Sequence, residues 1–282
     1  MVSLALQMPF ADAPSPALSW VLAGAAVVII GIAKSGFGGG VGIIAVPMFI
    51  YALGSPAKGI GTLLLLLIAA DVFSVYHHWG TWDKLNLRRI LPGSVAGIAI
   101  GAAILAAFTT VGPDGSVTAE TDSAERRLKL IVGIIAAAYP VLDLIKARYA
   151  SHWSIKPTWL NGSIAGLAAG TASTLAHAVG PVTSIYLLGQ HLDKRKFIGT
   201  SVIYYFTINS IKVIPYLILG LIATDTFVLQ LMLLPLIPLG TFTGTRLHRV
   251  MSETLFRNII MALIFLTGLQ MITGFDPLKL FQ

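Results

Sequence analysis

Apolar blocks long enough to cross a membrane recur along the whole chain, and no other feature narrows its fold so far. A helix needs roughly 17–25 residues to span a hydrocarbon core of about 30 Å. Apolar segments fall at about 17–33, 38–53, 60–76, 90–108, 128–145, 162–176, 178–189, 198–218, 227–245 and 256–273. They lack the period-two alternation of a membrane barrel, so helices are expected. Charge agrees with this, since only 11% of the 282 residues are charged against about 25% in a soluble domain. Much of the exterior must therefore face the lipid bilayer, and the expected fold is an all-α polytopic membrane protein.

The net charge of +7 does not point to nucleic acid, because Lys and Arg lie in short clusters between apolar blocks. Loop 77–89 carries Lys84, Arg88 and Arg89, and loop 146–156 carries Lys146, Arg148 and Lys156. Loop 190–197 carries Lys194, Arg195 and Lys196, and loop 246–257 carries Arg246, Arg249 and Arg257. Loop 109–124 instead holds Asp114, Glu120 and Asp122, and loop 219–226 holds only Asp225. Placing the four basic loops in the cytoplasm is consistent with ten crossings and both termini outside. No Lys or Arg precedes the first apolar block, so that block lacks the basic start of a cleavable signal and is expected to be retained. The chain has no cysteine, which excludes disulfides and thiolate chemistry.

The two halves, 1–149 and 150–282, resemble each other at spaced positions. Tyr51-Ala-Leu-Gly54 matches Tyr186-Leu-Leu-Gly189, and Lys58-Gly-Ile-Gly-Thr62 matches Lys196-Phe-Ile-Gly-Thr200. A polar residue follows each Gly-Thr at equal spacing, Asp71 and Asn209. Pro92, Gly97 and Gly101 match Pro235, Gly240 and Gly244, while Glu125 and Lys129 match Glu253 and Arg257. Five segments per half is an odd number, so the second copy starts on the opposite side from the first. Two inverted repeats are therefore expected, an arrangement that secondary transporters use around a midplane site. A channel fits the same pattern.

Gly31-Ile-Ala-Lys-Ser-Gly-Phe-Gly-Gly-Gly-Val-Gly-Ile-Ile-Ala-Val-Pro47 is the most informative stretch. Each glycine destabilises a helix by roughly 1 kcal/mol relative to Ala. Unwound backbone at membrane depth is tolerated only where it is buried in protein or lines a wet cavity. Gly38, Gly39 and Gly40 beside Lys34 could thus open a site, and the N–H groups of the following half-helix, which contains Pro47, would face an anion. Alternatively, the glycines only let helices pack closely. The counterpart, Gly166 to Pro181, lacks the triple glycine but offers Ser173, Thr174, His177 and Gly180. Their hydroxyls and imidazole could donate to an oxyanion or relay a proton, or could simply be satisfied within their own helix. Segments 38–53 and 178–189 are short and interrupted by Gly and Pro, as half-helices near the midplane would be.

The paired Gly-rich stretches ending in Pro47 and Pro181, the Lys-x-Ile-Gly-Thr segment and Ser173-Thr-Leu-Ala-His-Ala-Val-Gly-Pro181 resemble the TauE/SafE family of sulfite exporters over nearly the whole chain. The resemblance implies a multi-pass plasma (inner) membrane protein that moves sulfite, sulfonates or related sulfur-containing anions. Residues 176–180, Ala-His-Ala-Val-Gly, depart from the family's triple glycine.

Charges within apolar segments mark a pathway more often than not, because each costs roughly 2.5–3.5 kcal/mol on insertion scales. Asp71 lies inside 60–76 and Lys212 inside 198–218, on one helix face with Asn209. Lys212 could neutralise the substrate or snorkel to the surface, and Asp71 could titrate or pair with Lys34. The expected substrate site is therefore Lys34, Gly38, Gly39, Gly40, Ser173, Thr174, His177, Gly180, Asn209 and Lys212. Coupling or gating would fall to Asp71, Pro47 and Pro181, with protons as the coupling ion. The tryptophans sit near segment ends as interfacial anchors. No cofactor, metal, ATPase motif or catalytic residue is expected, so the chain reads as a secondary transporter, with an anion channel as the alternative.

Overall fold

The computed structural model describes residues 10, 15–36, 41–111, 117–119, 121–149, 155–222, 224–250 and 252–274. In chain order the helices are α1 (Pro16–Gly36), α2 (Ala45–Leu53, preceded by a 3₁₀ turn Val41–Ile44), α3 (Pro56–His77), α4 (Lys84–Ala106) and α5 (Asp122–Tyr149). They continue with α6 (Trp159–Ala176), α7 (Gly180–Leu188), α8 (Lys194–Ile218), α9 (Thr224–Leu233), α10 (Leu236–Val250) and α11 (Glu253–Thr273). Local sequence sets the starts. The side chains of Ser55, Asp83, Thr158, Asp193 and Ser252 each accept from a backbone N–H in the first turn that follows, relieving one of the donors a helix leaves unpaired.

Among the described residues, five helices are long and apolar enough to cross a membrane, and six if α9 and α10 count as one bent span. Helices α2 and α7 have nine residues each, about 14 Å of rise, and neither spans a bilayer by itself. Segment 227–245 is not one rod but bends by 42° between α9 and α10. Pro235 lies at the bend, where it has no N–H to give and its ring crowds the preceding turn. The acidic loop contains an unforeseen hairpin, with Thr109–Val111 antiparallel to Val117–Ala119. Large apolar side chains stay exposed along the long helices, among them Phe73, Ile100, Leu144, Ile218 and Leu266, as lipid-facing surfaces require.

Close helix pairs are built on glycine. A Cβ on Gly97 of α4 would strike Leu167 O and Thr171 N of α6, and one on Gly170 of α6 would strike Ser94 O and Ile98 N of α4. In a second such pair, a Cβ on Gly240 of α10 would meet Val28 O of α1, and one on Gly31 would meet Ile237 O and Thr241 N. The spacings are the same in both pairs, so the approach of α4 to α6 is made again between α10 and α1. This register sets Gly31 opposite Gly170 in the comparison of halves, rather than opposite Gly166, and sets Lys34 opposite Ser173. Likewise Gly61 of α3 abuts Leu221, just beyond α8, while Gly199 of α8 abuts Thr81, just beyond α3. Helices α3 and α8 therefore run antiparallel. So do α5 and α11, since Gly133 abuts Gly268 and Met271, and Gly268 abuts Ala137.

The described residues of the four basic loops and the helix ends beside them gather at one end of the molecule. Asp83 N donates to Thr200 Oγ1 at 2.8 Å, and Gln190 Nε2 donates to Ile155 O at 3.0 Å. Arg257 lies 3.9 Å from Asp143, near the end of α5. Burial, His77 and Arg195 together hold the His78 imidazole below its usual range, which sets the end of α3 beside the start of α8. Leu221, against the first turns of α3, lies at the other end.

Candidate functional site

Lys212 is the centre of the polar cluster. It sits about two turns short of the end of α8 and is 0% exposed. Its ammonium donates to Ser173 Oγ at 2.9 Å, to Ser173 O at 3.1 Å and to His177 Nδ1 at 3.0 Å. All three acceptors are neutral. Snorkelling to a surface is therefore not what this lysine does.

The end of α6 explains why such acceptors exist. The last carbonyls of a helix lack partners further along the helix, and α8 meets the end of α6 with two donor side chains. Tyr216, one turn beyond Lys212, donates its hydroxyl to Thr174 O at 2.6 Å, while Lys212 is a second donor to Ser173 O, which already accepts from the His177 N–H at 2.9 Å. His177 caps α6 in the left-handed conformation, with φ 51° and ψ 24°, a region a β-carbon disfavours by about 1–2 kcal/mol. Its ring is thereby turned between helices. Because the Lys212 ammonium can only donate, Nδ1 accepts, and the Nε2–H donates to Ile60 O of α3 at 2.9 Å.

A second group adjoins the first. Asp71 of α3 is 1% exposed; one oxygen pairs with Lys34 at the end of α1, and the other accepts from Asn209 Nδ2 of α8 at 2.7 Å. Lys34 also suits its place, since a cation at a helix C-terminus meets the negative end of the helix dipole. Two lysines and one carboxylate thus lie together among membrane-length helices, leaving one positive charge in excess.

Of the residues singled out from the sequence, Lys34, Asp71, Ser173, His177, Asn209 and Lys212 come together. Thr174 does not offer its hydroxyl, which turns back to Gly170 O at 2.9 Å. Gly180 and Pro181 open α7, and Pro47 is buried within α2. Neither short helix has a side chain capping its N-terminus. Gly38, Gly39 and Gly40 lie outside the described residues. Tyr216 was missed, although its spacing from Asn209 and Lys212 along α8 puts it on the same face. The role of Ile60 O had no sequence signal, because any residue carries a carbonyl.

A helical polytopic membrane protein with a buried, net-cationic polar cluster is the class that this fold and site define. The chain matches the family model described as Sulfite exporter TauE/SafE over residues 23–271, and it belongs to that family of membrane transporters. No curated protein and no solved structure matches it.

Proposed function

We propose that this protein is a secondary transporter that exports a small sulfur-containing oxyanion, such as sulfite or an organosulfonate, across the plasma membrane by alternating access. The observation that carries this reading is the fully buried Lys212, whose hydrogen-bond acceptors among the described residues, Ser173 and His177, are neutral. A lone buried charge is costly, and an anion that binds beside it removes that cost. Ser173 suits the same ligand, since its Oγ accepts from Lys212 and keeps its own proton to donate. Family membership supports sulfur-containing anions as the substrate class.

Alternating access would come from two inverted halves, 1–149 and 150–282. The twice-made glycine contacts and the antiparallel pairs α3/α8 and α5/α11 support this arrangement. The uncapped N-termini of α2 and α7 would add backbone donors at the site. Gathering of the basic loops at one end supports a cytoplasmic face there. Protons would couple through Asp71 or His177.

Reconstitution into liposomes tests the reading. Sulfite or sulfonate efflux that follows an imposed pH gradient is the expected result. Electrogenic flux indifferent to that gradient would mean a passive anion channel, and no flux of any sulfur oxyanion would overturn the assignment.

A further inference from the structure

Both halves contain a lysine and a serine one helix apart, but with places exchanged. Gly31 and Gly170 occupy equivalent packing positions, and three residues beyond them stand Lys34 and Ser173. Gly61 and Gly199 are equivalent in the same way. Further along the same two helices stand Asp71 and Asn209, bonded to each other, and three residues beyond those stand Ser74 and Lys212. In the second half the couple is made, with Lys212 of α8 on Ser173 of α6. In the first half it is open. Lys34 of α1 instead holds Asp71, and Ser74, 9% exposed, turns its hydroxyl back to Ala70 O at 3.2 Å.

We propose that the anion site has a second form, in which Lys34 held by Ser74 replaces Lys212 held by Ser173 as the cation facing the oxyanion. The inference rests on the transporter reading above and gives Ser74 a role in the second form alone, as the hydroxyl that positions Lys34. Two inverted halves switch access by exchanging conformations. The arrangement now seen in the second half then passes to the first, and Lys34 moves one helical turn along α3 from Asp71 to Ser74. Lys212 leaves Ser173 at the same time. Asp71, joined to its equivalent Asn209, then takes its neutralising charge from Lys212, one turn from Asn209. One lysine at a time pairs with Asp71, and the other is left for the anion. The number of buried charges stays constant through the cycle, so neither state strands an unpaired carboxylate.

Ser74→Ala and Ser74→Thr in the full-length protein test this. Among the described residues the Ser74 hydroxyl bonds within its own helix alone, so Ser74→Ala is expected to melt with the wild type and to bind sulfite within about twofold by calorimetry. Its net sulfite efflux from proteoliposomes is expected to fall about tenfold or more, the loss of one hydrogen bond to a charged group. Ser74→Thr, which keeps the hydroxyl, is expected to restore it. Efflux by Ser74→Ala within twofold of wild type would overturn the proposal. So would parallel losses of binding, efflux and melting temperature, which mark a merely structural serine. Wild-type protein that moves no sulfite would instead sink the transporter reading, and this proposal with it.

Discussion

Asn209 donates to Asp71 at 2.7 Å, and the two residues match in the sequence comparison of residues 1–149 with 150–282. If two inverted halves exchange conformations as proposed above, a bond between matching positions lies on the axis that relates them. Asp71 thus joins the two groups, with Lys34 on one oxygen and Asn209, one turn from Lys212, on the other.

Breaking the ion pair from one side should harm stability more than removing both partners. Asp71→Asn leaves Lys34 as a buried cation without its anion, for which about 3–5 kcal/mol is typical. The double variant Lys34→Met, Asp71→Asn removes both charges and should melt above Asp71→Asn alone. Thermal unfolding of the purified protein measures the order.

Lys212→Met should separate function from folding. A methionine of similar length avoids burying a charge and is expected to leave melting unchanged or raised. Sulfite binding should weaken about tenfold to a hundredfold, the range for losing a charge-assisted hydrogen bond of about 1.5–3 kcal/mol. Calorimetry reads the affinity and proteoliposome flux reads the transport.

His177 is held at φ 51°, so its two truncations should differ. His177→Gly loses the bonds to Lys212 and Ile60 but adopts the left-handed turn freely. His177→Ala loses the same bonds and keeps the backbone penalty of about 1 kcal/mol. The expected order of melting is wild type, then His177→Gly, then His177→Ala.

Helix contact by glycine predicts a sharp positional contrast on α4. Gly97→Leu has no room, since even a Cβ there would lie 2.2 Å from Leu167 O, and folded yield should collapse. Ala99→Leu, on the exposed face of the same helix, should be tolerated. Size-exclusion profiles in detergent distinguish the two.

Absence of cysteine makes sidedness directly measurable. Single cysteines at Thr81, Gln190 and Ser252 should react with an impermeant thiol reagent from one side of the membrane. One at Lys58 should react from the other. Lys58 labelled together with Gln190 would contradict both the antiparallel packing and the inverted halves.

The sequence alone determined the helical, lipid-facing character of the chain, its short broken segments, its clustered basic loops and the family to which it belongs. These are local properties: length of an apolar run, a glycine beside a proline, the sign of charge between segments. It also marked Asp71 and Lys212, because a charge within an apolar run stands out wherever its partner lies. Tertiary structure alone decided those partners. Whether Lys212 meets Ser173 and His177 or escapes to the surface depends on which face of α8 lies against the end of α6, and that register is fixed by backbone contacts at glycines far apart in the chain. The outward-facing hydroxyl of Ser173 and the inward-turned one of Thr174 are adjacent residues of similar chemistry, and only the packing of α8 and α4 around α6 tells them apart. The bend at Pro235 and the hairpin after α4 were equally hidden, the first because the matching Pro92 sits in an unbroken helix, the second because its two strands are three residues each.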